Sequence, residues 1–166
     1  PRRRARPRGA RGKTAPPRRA GNYRLDPLQA AVLRAKLPHY EARLARRRAH
    51  ADLLRARLAG VSDALVLPTD DPAGRHVYAQ FTVRHPRRDA LQAALKARGV
   101  VSEVYYPMPM PAQKVFAALP DAHREFPNAA RACAEVLSVP VHSELDTAEV
   151  EQVAEALRAA LVEVEA

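Results

Sequence analysis

The sequence predicts an α/β fold in which a long, kinked helix leads into a small mixed or antiparallel sheet packed by helices. Three observations lead there. Residues 27–59 carry an Arg-studded helical pattern broken only by Pro38. Val77–Val83 alternates in the manner of a half-buried strand. The full order of expected elements, α-β-β-α-β-α-α, is that of a layered domain with a small sheet.

The first helix starts at Asp26-Pro27-Leu28-Gln29: Asp26 can cap, Pro27 suits the first helical position, and Gln29 completes a capping box. Leu28, Ala31, Val32 and Ala35 fall on one face. Pro38 should kink or restart the helix, which resumes through Leu44, Leu54 and Leu58 and stops at Gly60. Ala64–Leu67 is a short apolar run. The strand at 77–83 places Val77, Ala79, Phe81 and Val83 on one face. Residues 87–98 form a helix with Leu91, Ala94 and Leu95 inward, ended by Gly99, and Val100–Tyr105 is a third strand candidate. Pro107, Pro109 and Pro111 forbid regular pairing, so residues 106–113 are a loop. Pro127–Leu137 reads as a helix with Ala130, Cys133, Ala134 and Leu137 on one side, and Val139–Val141 as a short extended piece. Asp146-Thr147-Ala148-Glu149 is a second capping box, opening a terminal helix with Val150, Val153, Ala154, Leu157 and Leu161 inward.

The 166 residues, 47% of them apolar, suit one globular domain with a real core. No apolar run approaches the roughly 18 residues of a membrane span. Cys133 is the single cysteine, which excludes an intrachain disulfide and a thiolate metal cluster. A cytoplasmic protein is the simplest reading. The formal charge of +10 is concentrated: residues 1–20 carry nine Arg or Lys and no acid, leaving +1 for the remainder. This Arg/Pro-rich tail lacks apolar periodicity and is expected to stay disordered. Its charge suits phosphate contacts, but it has no aromatic residue for base stacking, which argues against nucleic acid. None of the six histidines stands four residues from another, and H-E-x-x-H, C-x-x-C and G-x-S-x-G are all absent.

Several segments, in order and spacing, resemble the DegT/DnrJ/EryC1/StrS family of pyridoxal-phosphate (PLP) aminotransferases, which act on keto-sugars, usually nucleotide-linked. They are Gly21-Asn22-Tyr23-Arg24-Leu25-Asp26 running on to Lys36-Leu37-Pro38; Arg46-Arg47-Arg48 with Leu58-Ala59-Gly60-Val61; His76-Val77-Tyr78; Arg88-Asp89-Ala90-Leu91 through Gly99-Val100; Tyr105-Tyr106-Pro107-Met108-Pro109-Met110; Phe126-Pro127 with Leu137-Ser138-Val139-Pro140-Val141-His142; and Leu145 with the helix start after it. The resemblance covers residues 21–157 and maps to the C-terminal part of the family fold. It implies that residues 21–166 are the small C-terminal domain of a type I PLP aminotransferase fold. It stops before Gly21, as a frameshift, a truncated gene or a mis-called start at residues 1–20 would produce.

Further implications follow from the resemblance alone. Catalysis would need PLP as an electron sink, a Schiff-base lysine and a carboxylate on the pyridine nitrogen. The family places both protein groups upstream of this sequence, and Lys13, Lys36, Lys96 and Lys114 do not match its lysine segment. The chain alone is therefore expected to be inactive, with no catalytic residue of its own. Asn22 matches an Asn that reaches the PLP phosphate of a neighbouring subunit, which implies a homodimer, and Arg24 matches a nearby Arg suited to an anionic group. Read without the resemblance, Asn22 is a turn residue and Arg24 a surface cation. Tyr105 and Tyr106 match the loop near the substrate, where a phenol can bond a sugar hydroxyl or stack on a ring; otherwise they are core tyrosines at a strand end. The family loop usually continues to a histidine where this chain has Pro111. His142 and Cys133 read as structural. The amino donor implied is glutamate or glutamine, and the pathway that of a polysaccharide or antibiotic sugar. The alternative is a non-enzymatic α/β module whose basic arm binds nucleic acid or a protein partner.

Overall fold

A computed structural model of the chain describes residues 25–118 and 124–166. The expected disorder of residues 1–20 lies outside these. The chain falls into two compact units, divided between Glu41 and Ala42. In the first, α1 spans Pro27–Lys36. The Asp26 carboxylate accepts the Leu28 N–H at 2.8 Å. The cap thus closes on the second helical residue rather than on Gln29, the position a capping box uses. A 3₁₀ turn, Leu37–His39, follows at Pro38, and α2 then runs Tyr40–Leu58. The interruption read from Pro38 is there, because the ring removes one helical N–H and crowds the preceding turn. The face expected inward on α1 is open: Leu28 is 74% exposed and the helix buries no residue.

The second unit is built around one cluster. From α2 come Ala51, Leu54 and Leu58; from β1 (Phe81–Arg84), Phe81 and Val83; from α3 (Arg88–Ala97), Leu91 and Leu95. Leu137 enters from β2 (Val136–Val139), and Val150, Ala154, Leu157 and Leu161 from α5 (Thr147–Glu165). All five positions expected inward on α5 are buried, with Ala160 and Val164 besides. At about 1.5–3 kcal/mol for each large side chain removed from water, α5 is a principal source of stability. Its capping box is complete, Asp146 accepting from Glu149 N–H and Glu149 from Asp146 N–H, each at 2.8 Å. The end of α3 is a Schellman turn: Gly99 at φ +77° lets its N–H reach Lys96 O and the Val100 N–H reach Leu95 O, each at 3.0 Å.

The sheet is antiparallel, with β1 and β2 paired from Phe81↔Val139 to Arg84↔Val136. Single-residue bridges continue it on both sides, Val66 against Arg84 and Glu103 against Ser138. The small α/β layer is as expected, but three boundaries differ. The strand expected at 77–83 begins only at Phe81. Tyr78 has φ +44°, a left-handed conformation that breaks the extended run and turns its ring inward, while Val77 and Ala79 are exposed. The Tyr78 hydroxyl donates to Asp70 at 2.5 Å and accepts from Arg55 at 2.5 Å. Burial, reinforced by the Asp70 carboxylate, pushes this phenol up to about 12. The same hydroxyl, followed by Arg55, holds Asp70 below the ordinary carboxylate value.

The strand expected at 100–105 contracts to the Glu103 bridge, and Pro107 beyond it has no N–H to offer a ladder. The helix expected to Leu137 ends at Glu135: α4 is Pro127–Glu135, and Val136 and Leu137 belong to β2. Ala130 and Ala134 are exposed and Cys133 is only half-buried, so α4 buries no residue where an inward face was expected. No helix among the described residues is long and apolar enough to cross a membrane.

Candidate functional site

The loop expected to carry function leaves the edge of the sheet at Glu103, whose N–H and C=O both pair with Ser138 at 3.0 and 2.8 Å. Tyr105 and Tyr106 follow, 43% and 69% exposed, with ring centroids 5.8 Å apart and nearly perpendicular. Neither is a core tyrosine; Tyr78 is. Beyond them the prolines divide the loop into 3₁₀ turns at Met110–Ala112 and Lys114–Phe116. Met108, Met110 and Val115 are exposed with the tyrosines, an unusual run of apolar surface for a loop.

The loop forms one wall of a cavity of about 350 Å³. Pro109, Pro111 and Ala112 line that side; Arg124, Glu125, Phe126, Pro127 and Ala130, at the start of α4, line the other. The Arg124 guanidinium lies 5.5 Å from the Phe126 ring centroid, a cation–π contact. The arrangement offers flat apolar faces with one cation, Arg124, and one anion, Glu125, at hand. Tyr105 and Tyr106 precede this wall on the same loop and do not line the cavity. Asn22 and Arg24 lie outside the described residues. Sequence reasoning missed Arg124 and Phe126 as cavity residues. Phe126-Pro127 carried part of the resemblance, but no local pattern announces that it faces a loop beginning 20 residues earlier.

Among the described residues, the other groupings of polar side chains do not build a reacting centre. Glu165 accepts from Ser62 and lies 3.1 Å from His85 Nε2, while His85 Nδ1 accepts the Arg87 N–H at 3.1 Å. The carboxylate sits between the hydroxyl and the imidazole, so the histidine cannot activate the serine as a base. The Ser62 hydroxyl, then His85, holds Glu165 below its ordinary value. With Arg87 donating to Val164 O and Arg98 paired to Glu163 at 2.7 Å, these contacts clasp the last turn of α5. His142 is exposed, and its carbonyl accepts from His50 Nδ1 at 3.1 Å. Among the described residues no three His, Cys, Asp or Glu side chains could hold a metal.

The described residues do not fit PLP by themselves. A Schiff-base lysine needs an enclosed amine facing a pocket, and Lys36, Lys96 and Lys114 are all exposed, none of them lining the cavity.

Comparison with known proteins places this architecture. The model of the DegT/DnrJ/EryC1/StrS aminotransferase family matches residues 4–158. The match begins inside the Arg-rich segment, earlier than the Gly21 at which the sequence reading ended the resemblance. A protein named pleiotropic regulatory protein, from Geobacillus stearothermophilus, is 42% identical over 125 residues, 75% of this chain and 34% of its own length. A UDP-N-acetyl-3-dehydro-α-D-glucosamine 3-aminotransferase from Acidithiobacillus ferrooxidans is 40% identical over 141 residues, 84% of this chain and 37% of its own. The crystal structure of Streptomyces venezuelae DesV, in complex with a ketimine intermediate, superposes with a TM-score of 0.82 at 34% identity, covering 95% of this chain and 42% of DesV. The chain thus spans about a third of the length of these curated relatives. By its family match and its fold, the chain belongs to the DegT/DnrJ/EryC1/StrS aminotransferase family.

Proposed function

We propose that the chain is the small, C-terminal part (residues 21–166) of a PLP-dependent aminotransferase that transfers an amino group to a nucleotide-linked keto-sugar. The observation that carries this reading is the likeness to DesV over 95% of this chain and 42% of that one, together with the family match. Bound PLP supplies the electron sink of amino transfer. The exposure of every described lysine supports a chain that is inactive until the remaining two-thirds of such an enzyme is supplied.

In the complete enzyme, a homodimer, the Asn22 amide donates to a phosphate oxygen of the neighbouring subunit's PLP, and Arg24 meets an anionic group of cofactor or substrate. Tyr105 and Tyr106 contact the sugar; their exposure on a proline-stiffened loop leaves both rings free to do so. Glutamate or glutamine is the amino donor, and the enzyme works in the cytoplasm.

A chimera tests the reading. The matching part of DesV is replaced by this chain, and amino transfer from glutamate or glutamine to DesV's own keto-sugar is followed. The expected result is PLP-dependent turnover, with Asn22→Ala weakening PLP binding about tenfold and Tyr106→Phe raising KM more than it lowers kcat. A chimera that folds and binds PLP, yet gives turnover indifferent to Asn22, Arg24, Tyr105 and Tyr106, would refute the assigned roles.

A further inference from the structure

α4 is amphipathic in sequence but leaves no residue fully buried, and none of its residues belongs to the apolar core. Among the described residues, its polar contacts with the body gather at its C-terminal end. Arg88, only 8% exposed on the core helix α3, donates from Nη1 to Cys133 O at 3.1 Å and to Val136 O at 2.9 Å. Its Nε is paired with Asp89 at 2.5 Å. Arg84 reaches Glu135 with Nε at 3.0 Å and Nη2 at 2.6 Å, and the His85 N–H donates to Glu135 O at 3.0 Å. A helix ends with carbonyls that lack intrahelical partners and carry partial negative charge, so a buried guanidinium is well placed to fix it there. The other end of the same short, stiff rod carries Phe126 and Pro127, one wall of the cavity opposite Pro109 and Pro111.

We infer that Arg88 is a positioning residue: by anchoring the C-terminal end of α4, it sets the width of the cavity and hence its fit to the nucleotide part of the substrate. This rests on the proposed function. The cavity volume, about 350 Å³, falls in the range of small-ligand sites. Phe126 and the prolines offer flat faces to a nucleoside, and Arg124 a cation to a phosphate. Arg88 touches no ligand; it acts through two backbone carbonyls.

The test uses the ¹⁵N-labelled chain, UDP as the probe, and hydrogen exchange of α4 and α5 amides. In the unmutated chain UDP should shift amides within residues 112–115 and 124–130. Arg88→Met should raise the Kd for UDP about tenfold and lower α4 protection about 10- to 100-fold, with α5 protection unchanged. Arg88→Lys, which keeps a donor without the fork, should recover part of both. Unchanged UDP affinity or unchanged α4 exchange in a folded Arg88→Met would overturn the inference. If that variant does not fold, Arg88→Gln decides, with about threefold weaker binding expected and unaltered binding contradicting it. Should UDP leave the cavity amides of the unmutated chain unmoved, the substrate reading of the cavity fails and the inference with it. UDP binding that survives every Arg88 variant removes only the role of Arg88.

Discussion

α5 and α1 begin alike and end in different circumstances. Each starts after an aspartate whose carboxylate accepts a first-turn N–H, Asp146 from Glu149 and Asp26 from Leu28. Each carries apolar residues at helical spacing. Yet α5 buries seven side chains and α1 none. Capping and periodicity decide that a helix forms and which face is apolar; they do not provide something for that face to meet. α4 repeats the lesson, held by Arg88 and Arg84 instead of by a packed face.

The contrast makes graded predictions. The largest effect belongs to Leu157→Ala at a fully buried position of α5, expected to cost about 2–5 kcal/mol in urea unfolding. Tyr78→Phe comes next. It removes the hydroxyl shared by Asp70 and Arg55, for a loss of about 1–2 kcal/mol after allowance for the partial exposure of both partners. The same phenol gives a pH signature. Because folding raises its value to about 12, its contribution is complete below the unfolded value near 10 and is lost as pH climbs through the folded value. An absorbance titration of tyrosinate should show a component near pH 12 that Tyr78→Phe abolishes.

Asp146→Ala should cost about 0.5–2 kcal/mol of global stability. Asp26→Ala, at the cap of a helix that buries no residue, should lower helicity by circular dichroism while leaving the unfolding midpoint of the core in place. On the acid side, Asp70, Glu151 and Glu165 are held below their ordinary values of 3.8, 4.5 and 4.5 by bonded Tyr78, Arg57 and Ser62 respectively. Their stabilisation is full above those ordinary values and fades as pH falls through the lower folded ones. Urea midpoints should therefore drop below about pH 4, less steeply in Glu165→Gln. The smallest effect is Leu28→Ala on the open face of α1, within about 0.5 kcal/mol. A loss as large as that of Leu157→Ala would mean that α1 is packed in solution, and the contrast with α5 would collapse.

Much of the fold is legible in the sequence where the governing physics is local. Pro38 restarts the helix, Gly99 ends α3, and the Asp146 box opens α5 with every expected inward residue buried. Misreadings occur where a distant group intervenes. The alternation of Val77 to Val83 is real in the text, but Tyr78 reaches Arg55 and Asp70, and the backbone adopts a positive φ to let it. The helix expected to Leu137 gives way at Val136 to pairing with Arg84, a partner some 50 residues away. The resemblance singled out Tyr105 and Tyr106, which the structure leaves exposed on the loop and outside the cavity lining. The cavity was not legible, since Pro109 and Phe126 face each other only in three dimensions.

The role proposed for this chain is that of a part of a sugar aminotransferase that supplies cofactor and substrate contacts without the reacting lysine. Its most direct test is to incubate the purified chain with equimolar PLP, reduce with borohydride, and locate any cofactor on lysine by mass spectrometry, with a parallel assay of amino transfer from glutamate. The expected outcome is no stoichiometric label at any one lysine and no transfer above the protein-free control. Full labelling of a single lysine, accompanied by turnover, would contradict it.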